Sequence, residues 1–156
     1  MASARGRRCG AAIVLAALQS ACASQWSAAP TPTVRAAAET TPVASFGDAA
    51  DDPAIWVHPT DPARSLIVAT DKRRGLEVYA LDGSLRQSLP AGRMNNVDLR
   101  DGFTLGGQRV TVVAASDRDH DAIALFAISA DRPGLADVAD GVRSTGLTRI
   151  YGLCMY

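Results

Sequence analysis

Two short strings put cations and carboxylates at matching places along the chain. Asp71-Lys72-Arg73 stands in one and Asp117-Arg118 in the other, each directly after an apolar run. Upstream of the first lies Asp51-Asp52, and upstream of the second lies Asn95-Asn96 with Asp98 close behind. Hard carboxylate oxygens suit Ca²⁺ or Mg²⁺. Lysine and arginine suit phosphate oxygens, and a guanidinium can grip two at once. Brought to one place, such groups could hold a divalent metal and a phosphate together. Plainer readings stand beside this one. Asp48, Asp51 and Asp52 precede Pro53, and Asp before Pro is an ordinary turn former. Asn95-Asn96 could be a turn, Asp71 and Asp117 could cap the turns they sit in, and His58 and His120 read as surface side chains. Other chemistries find no support. There is no His-x-x-x-His or Cys-x-x-Cys spacing for zinc. Neither Gly-x-Ser-x-Gly nor a Gly-x-x-x-x-Gly-Lys phosphate loop is present. No Cys-x5-Arg loop offers a covalent nucleophile, so metal-assisted attack by water is the phosphoryl chemistry that remains.

The elements that must position these groups read as strands. Apolar runs at 54–58, 66–70, 75–81, 97–100, 109–116 and 122–128 alternate with turn signals, and Asp82-Gly83 is a hairpin signal. No stretch after residue 45 keeps a helical period. The strands also repeat. A shift of 46 carries Asp52 onto Asp98, Thr70 onto Ser116, Asp71 onto Asp117 and Lys72 onto Arg118. One extra residue in the next turn makes the shift 47, and Leu76, Val78 and Tyr79 then meet Ile123, Leu125 and Phe126. An all-β period of this size matches one blade of a β-propeller, about 40 to 50 residues. A single blade cannot bury both its faces, so blades stack around an axis. Asp52, Asp98 and Tyr151 would then start successive inner strands at one end of that axis. A propeller needs at least four blades. The sequence therefore predicts the N-terminal part of a longer chain, with about two blades and the start of a third at Ile150-Tyr151-Gly152. A small sandwich or two-sheet domain is the alternative.

Composition narrows the setting. Of 156 residues, 47% are hydrophobic and 21% charged, which excludes wholesale disorder. Sixteen basic residues balance sixteen acidic ones, so no cationic excess drives nucleic-acid binding. Aromatics at 5% are poor material for stacking bases. Lys72 is the only lysine. Arg5, Arg7 and Arg8 precede an apolar stretch at 11–18, too short to span a bilayer, and Ala21-Cys22-Ala23 fits signal-peptidase cleavage. Residues 1–23 thus read as a signal peptide, predicting a secreted or periplasmic protein with no membrane span. A lipid anchor on Cys22 is the competing reading, although Gln19 stands where a lipobox has Leu. Residues 24–45 are an Ala/Pro/Thr-rich linker, and the folded part is expected over 46–156. Cys154 reads as a small buried hydrophobe.

The string Gly47-Asp48-Ala49-Ala50-Asp51-Asp52-Pro53-Ala54-Ile55-Trp56 resembles the opening motif of the β-propeller phytases. Asn95-Asn96-Val97-Asp98-Leu99-Arg100 is similar to their second motif, and Ala114-Ala115-Ser116-Asp117-Arg118 and Ile150-Tyr151-Gly152 resemble two more, in the right order. The resemblance implies a monomeric six-bladed propeller that hydrolyses phosphate from phytate (myo-inositol hexakisphosphate) with several Ca²⁺ ions. By the same resemblance, Lys72, Arg118 and Tyr151 match phosphate-contacting catalytic positions, and Arg73 a second cation of the phosphate site. Asp51 and Asp52 match acidic positions near calcium, and Asn96 and Asp98 a calcium-associated motif. Most of the metal-holding acids would come from later blades. Two departures are Asp71, where a neutral residue is expected, and the acidic Asp119-His120-Asp121 loop. The rival reading is a non-catalytic propeller module that binds calcium and an anion.

Overall fold

Leu66, Val68 and Thr70 are buried on one side of their strand while Ile67 and Ala69 are only half-buried on the other. This period of two is what a pleated strand imposes on its side chains. The computed structural model describes residues 31–156, and within it Ala36–Tyr156 is one unit. Strands β1 (Ala50–Trp56), β2 (Leu66–Asp71), β3 (Gly75–Ala80) and β4 (Leu85–Leu89) form an antiparallel meander in that order. Strands β5 (Met94–Leu105), β6 (Gln108–Asp117), β7 (Ala122–Ser129) and β8 (Arg132–Asp137) form a second, with short β9 (Arg143–Ser144) beside the start of β7. One 3-10 turn, Pro62–Arg64, interrupts the β structure. First strand packs on first strand, β1 on β5, and last touches last, β4 on β8. The described residues are thus all-β, two blades of a partial β-propeller.

The core lies between the blades. Trp56, Leu66, Val68, Leu76 and Val78 of the first meet Met94, Val97, Val113, Phe126, Ile128 and Leu135 of the second. Each such side chain contributes about 1.5 to 3 kcal/mol when removed from water. Polar clamps fix the registry of the two sheets. The Trp56 indole N–H donates to Thr111 Oγ1 at 2.9 Å. The Gln87 amide makes both bonds a neighbouring strand would make, donating to Leu135 O at 3.0 Å and accepting from Leu135 N at 2.8 Å.

The structure shifts one part of the repeat. The strands at 66–71 and 75–80 match 112–117 and 122–127 as the sequence predicts. Pro53, however, pairs with Ala69 where Val97 pairs with Ala115, and Trp56 pairs with Leu66 where Arg100 pairs with Val112. The inner strands therefore correspond at a shift of 44. Asp52 is equivalent to Asn96, not to Asp98. The connection from first to second strand is two residues longer in the second blade, which a constant shift cannot see. A two-residue slip keeps every side chain on its face, so the hydrophobic pattern gave no warning.

Three further positions differ from expectation. His58 is buried, edge-on to Trp56 at 5.2 Å, and its Nδ1 accepts from the Thr60 and Asp61 amides. It caps the turn before the 3-10 segment from the inside. Cys154 is exposed, because Met155 N donates to Asp98 Oδ2 at 2.8 Å and holds this stretch along the rim of β5 with no sheet over it. Fixed contacts also begin before Phe46, within the segment read as linker. Thr41 N donates to Gly83 O at 2.8 Å and Ser45 N to Asp71 Oδ2 at 3.2 Å. The leader, residues 1–23, lies outside the described residues, as do linker residues 24–30.

Candidate active site

Both cations stand in the turn that leaves the second strand of a blade, and both turns are built alike. Asp71 Oδ1 accepts from Arg73 N at 3.0 Å, and Asp117 Oδ1 from Asp119 N at 2.9 Å. The Asp residues therefore cap their turns, as the plainer reading had it. Each turn is also tied back to the residue just before its own first strand. Lys72 N donates to Ala49 O at 2.8 Å, and Arg118 N to Arg93 O at 3.0 Å. The turn around Lys72 closes on Gly75 at φ 148°, where a Cβ would lie 2.0 Å from Leu89 O. Only glycine fits both demands.

The Lys72 side chain is 9% exposed, with Nζ 2.7 Å from Asp48 Oδ1 and 3.8 Å from Asp51 Oδ2. The hydrogen bond to Asp48 raises the Lys72 pKa against the opposing effect of burial, with Asp51 and Tyr151 adding to the rise. The same bond holds the Asp48 carboxyl below its ordinary value, helped by the Lys72 charge and by Arg73. Arg73 itself is exposed. In the second blade Arg118 Nη1 donates to Asn95 Oδ1 at 3.3 Å. Its guanidinium carbon lies 4.9 Å from the centroid of the Tyr151 ring, within cation–π range. Tyr151 is thus the direct neighbour of Arg118, and Lys72 stands in the equivalent turn of the preceding blade.

The corrected register makes the two halves of the site equivalent. Lys72 faces Asp51 and Arg118 faces Asn95, the same position on successive inner strands. Thr70 Oγ1 donates to Asn95 O at 3.1 Å, and Ser116 Oγ donates to Tyr151 O at 2.9 Å. Tyr151 is therefore the third member of the series Asp51, Asn95, Tyr151, where the sequence had aligned it with Asp52 and Asp98. Asp48, Asn95, Thr70 and Ser116 were not assigned to the site from sequence. A separate shift for the inner strand would have placed Asn95 opposite Arg118, as Asp51 is opposite Lys72.

Asp52, Asn96 and Asp98 are engaged elsewhere. Asp52 Oδ2 accepts from Asn96 Nδ2 and from Val97 N, both at 3.1 Å, and so ties β1 to β5. Asn96 Oδ1 accepts from Asn95 Nδ2 at 2.8 Å. Asp98 accepts from Met155 N and Leu99 N at 2.8 Å and from Arg100 at 3.3 Å. Burial pushes the Asp98 carboxyl up, but these donors and the Arg100 charge outweigh it and leave the value lowered. Among the described residues no three His, Cys, Asp or Glu side chains converge on a metal-sized space. Ca²⁺ takes six to eight oxygens, so these residues do not by themselves make a calcium site. Asp48 and Asp51 are the rim carboxylates nearest the cations.

Beside Arg118 lies a recess lined by Arg93, Asp121, Arg149, Ile150 and Tyr151. Arg93 pairs with Asp119 at 2.6 Å, which leaves Arg118 and Arg149 facing the single carboxylate of Asp121. Such a surface attracts small anions.

The family model described as Phytase matches residues 7–156. The chain is 44% identical over 127 residues to a 3-phytase of Bacillus subtilis (strain 168), covering 79% of this chain and 33% of that protein. It spans about a third of the length of this curated relative. With a family match over nearly the whole sequence, and a blade pair that sets the cations of the resembling motifs in equivalent turns, the chain belongs to the phytase family.

Proposed function

We propose that the protein to which this chain belongs is a phosphomonoester hydrolase acting on phytate, with calcium as its metal. The observation that carries this reading is Arg118 stacked on Tyr151 in the turn equivalent to the one that carries Lys72, on two adjacent blades. Family membership and the relative named 3-phytase support the substrate class.

In this reading Arg118 grips phosphate oxygens with the guanidinium N–H groups that Asn95 leaves free. The Tyr151 ring lies against that guanidinium and keeps its plane aimed at the substrate. Lys72 contributes a compact charge, released from Asp48 as the phosphate arrives. Preorganised cations of this kind stabilise charge as it develops on the phosphoryl oxygens. Calcium, when bound, would offset the repulsion between carboxylates and a polyanion and polarise the phosphoryl group. Asp48 and Asp51 are the local residues suited to face it, and the remaining ligands would come from other parts of the protein.

Phosphate release from phytate by the full-length protein, with calcium and then with chelator, tests the reading. Release that chelator abolishes and calcium restores is expected. Phytate binding without release would favour the non-catalytic module, and release indifferent to chelator would remove calcium from the mechanism. We also propose export, on the Arg-then-apolar leader and its cleavage site. Intact mass of the secreted product should show a chain starting at Ser24. A lipid adduct on Cys22 would replace this with the anchored form, and a cytosolic chain retaining Met1 would end both.

A further inference from the structure

Two non-glycine residues among those described adopt a left-handed backbone, Asp121 at φ 49° and Arg149 at φ 55°. Aspartate tolerates this region better than most residues, whereas arginine there is uncommon. Both belong to a single contact. Asp121 sits at the tight turn between β6 and β7. Its carbonyl accepts from Thr145 N at 3.1 Å and from Thr145 Oγ1 at 2.8 Å. Its carboxylate Oδ1 accepts from Ile150 N at 3.0 Å. One residue therefore holds both ends of the segment 145–150, and Arg149 turns left-handed at the point where Ile150 meets the carboxylate.

The next residue is Tyr151. It lies outside any strand and is 57% exposed, so no sheet ladder fixes it. Its backbone is held by the Asp121 clamp on one side and by the Ser116 hydroxyl on its carbonyl. Arg93 and Arg149 line the same recess as Asp121, yet the Oδ1 acceptor is used by a backbone amide. Left-handed residues that persist near a site are held there by their surroundings.

We propose that Asp121 is a positioning residue for the site: its carboxylate, by clamping Ile150 N, sets the placement of the Tyr151 ring against Arg118. The catalytic consequence rests on the reading of Tyr151 as a phosphate contact. The geometric consequence does not depend on it.

The test uses the full-length protein labelled with 3-fluorotyrosine, with the Tyr151 resonance assigned by Tyr151→Phe. Asp121→Gly keeps the left-handed backbone and the carbonyl that Thr145 uses, and removes only the carboxylate. Asp121→Asn keeps an oxygen acceptor in the same place. In Asp121→Gly the Tyr151 fluorine signal should move toward the position of free fluorotyrosine, and kcat/KM on phytate should fall about tenfold, the size of one lost hydrogen bond. Asp121→Asn should restore both, which a general loss of packing would not allow. An unmoved signal in Asp121→Gly, or no rescue by Asp121→Asn, overturns the proposal. Should Asp121→Gly fail to fold, Asp121→Ser keeps the backbone carbonyl that Thr145 uses and draws the side-chain acceptor back from Ile150 N. A displacement of the Tyr151 signal in the same direction is then expected, and no displacement overturns the proposal. If the unmodified protein releases no phosphate from phytate, the proposed function falls, while the fluorine signal still decides the clamp.

Discussion

Lys72 and Arg118 occupy the same place in successive blades but meet different partners. Lys72 faces carboxylates and is largely neutralised by Asp48 and Asp51, whereas Arg118 faces the neutral Asn95 amide and an aromatic ring. Arg118 therefore offers its charge directly to an anion, and Lys72 only after Asp48 gives way. In the full-length protein, Lys72→Ala and Arg118→Ala should each lower kcat/KM on phytate by roughly ten- to a hundredfold, as expected for a lost charge-assisted bond. Arg118→Lys should recover little of that loss, because an ammonium neither stacks on Tyr151 nor grips two oxygens. Near-normal turnover in both alanine variants would mean that the site lies elsewhere. Beside Arg118, His120 Nδ1 lies 2.7 Å from Asp117 Oδ2, and this hydrogen bond together with the carboxylate charge raises the His120 pKa above 6.5. A raised folded-state value means that the pair stabilises the fold fully below pH 6.5, and less as pH climbs through the raised value. The stability difference between the unmodified protein and His120→Gln should therefore be larger at mildly acidic pH and shrink on the alkaline side. Denaturation curves across that range check the sign, and a difference that grows with pH would refute it.

At the scale of elements, the middle strands of each blade were legible because both faces are lined. In β3 Leu76, Val78 and Tyr79 are all buried, and the turn residues that bound it are specific. The outer strands β4 and β8 were not singled out. Leu85–Leu89 and Arg132–Asp137 are mostly exposed or half-exposed, and their polar residues hide a pairing made partly by the Gln87 side chain. The inner strands were legible in face but not in register, so the cations and Tyr151 stood out in the sequence while Asn95 and the two hydroxyls did not. His58 misled because a histidine beside proline resembles a surface turn, and its burial depends on Trp56 lying against it. Gly75 carries a prediction at this scale. A methyl group there would meet Leu89 O, and the backbone is left-handed. Gly75→Ala should cost about 2 to 4 kcal/mol, at the high end for a point substitution. It should also disturb the turn that carries Lys72. Chemical denaturation gives the first number. A loss under about 0.5 kcal/mol, the size of an ordinary surface change, would show that the β3–β4 edge yields easily.

For the whole molecule, the question is what two blades can do alone. Blades bury their faces against neighbours, and the core described here covers one face of each. On the inner strand Ile55 is 61% exposed, and Phe103 and Leu105 of the long β5–β6 hairpin are also open to solvent. Glu77 is buried with Oε2 unpartnered in the described residues, although Ser88 donates to Oε1 at 2.9 Å. At about 25 cal/mol per Å², a few hundred Å² of uncovered apolar surface amounts to several kcal/mol. That is comparable to the roughly 5 to 15 kcal/mol that separates a folded domain from its unfolded chain. Residues 36–156 expressed alone should therefore unfold at low denaturant with a broad transition and associate as concentration rises. Calcium should not raise the midpoint, because the carboxylates present do not converge on a metal. On the proposed calcium-dependent reading, phytate should be left intact, since Lys72 and Arg118 would have no metal to work with. Denaturation curves with and without calcium, sedimentation over a range of concentrations, and a phosphate-release assay decide each part. A cooperative, calcium-stabilised monomer that releases phosphate from phytate would mean that two blades hold a complete site, and the dependence on other parts of the protein would have to be abandoned.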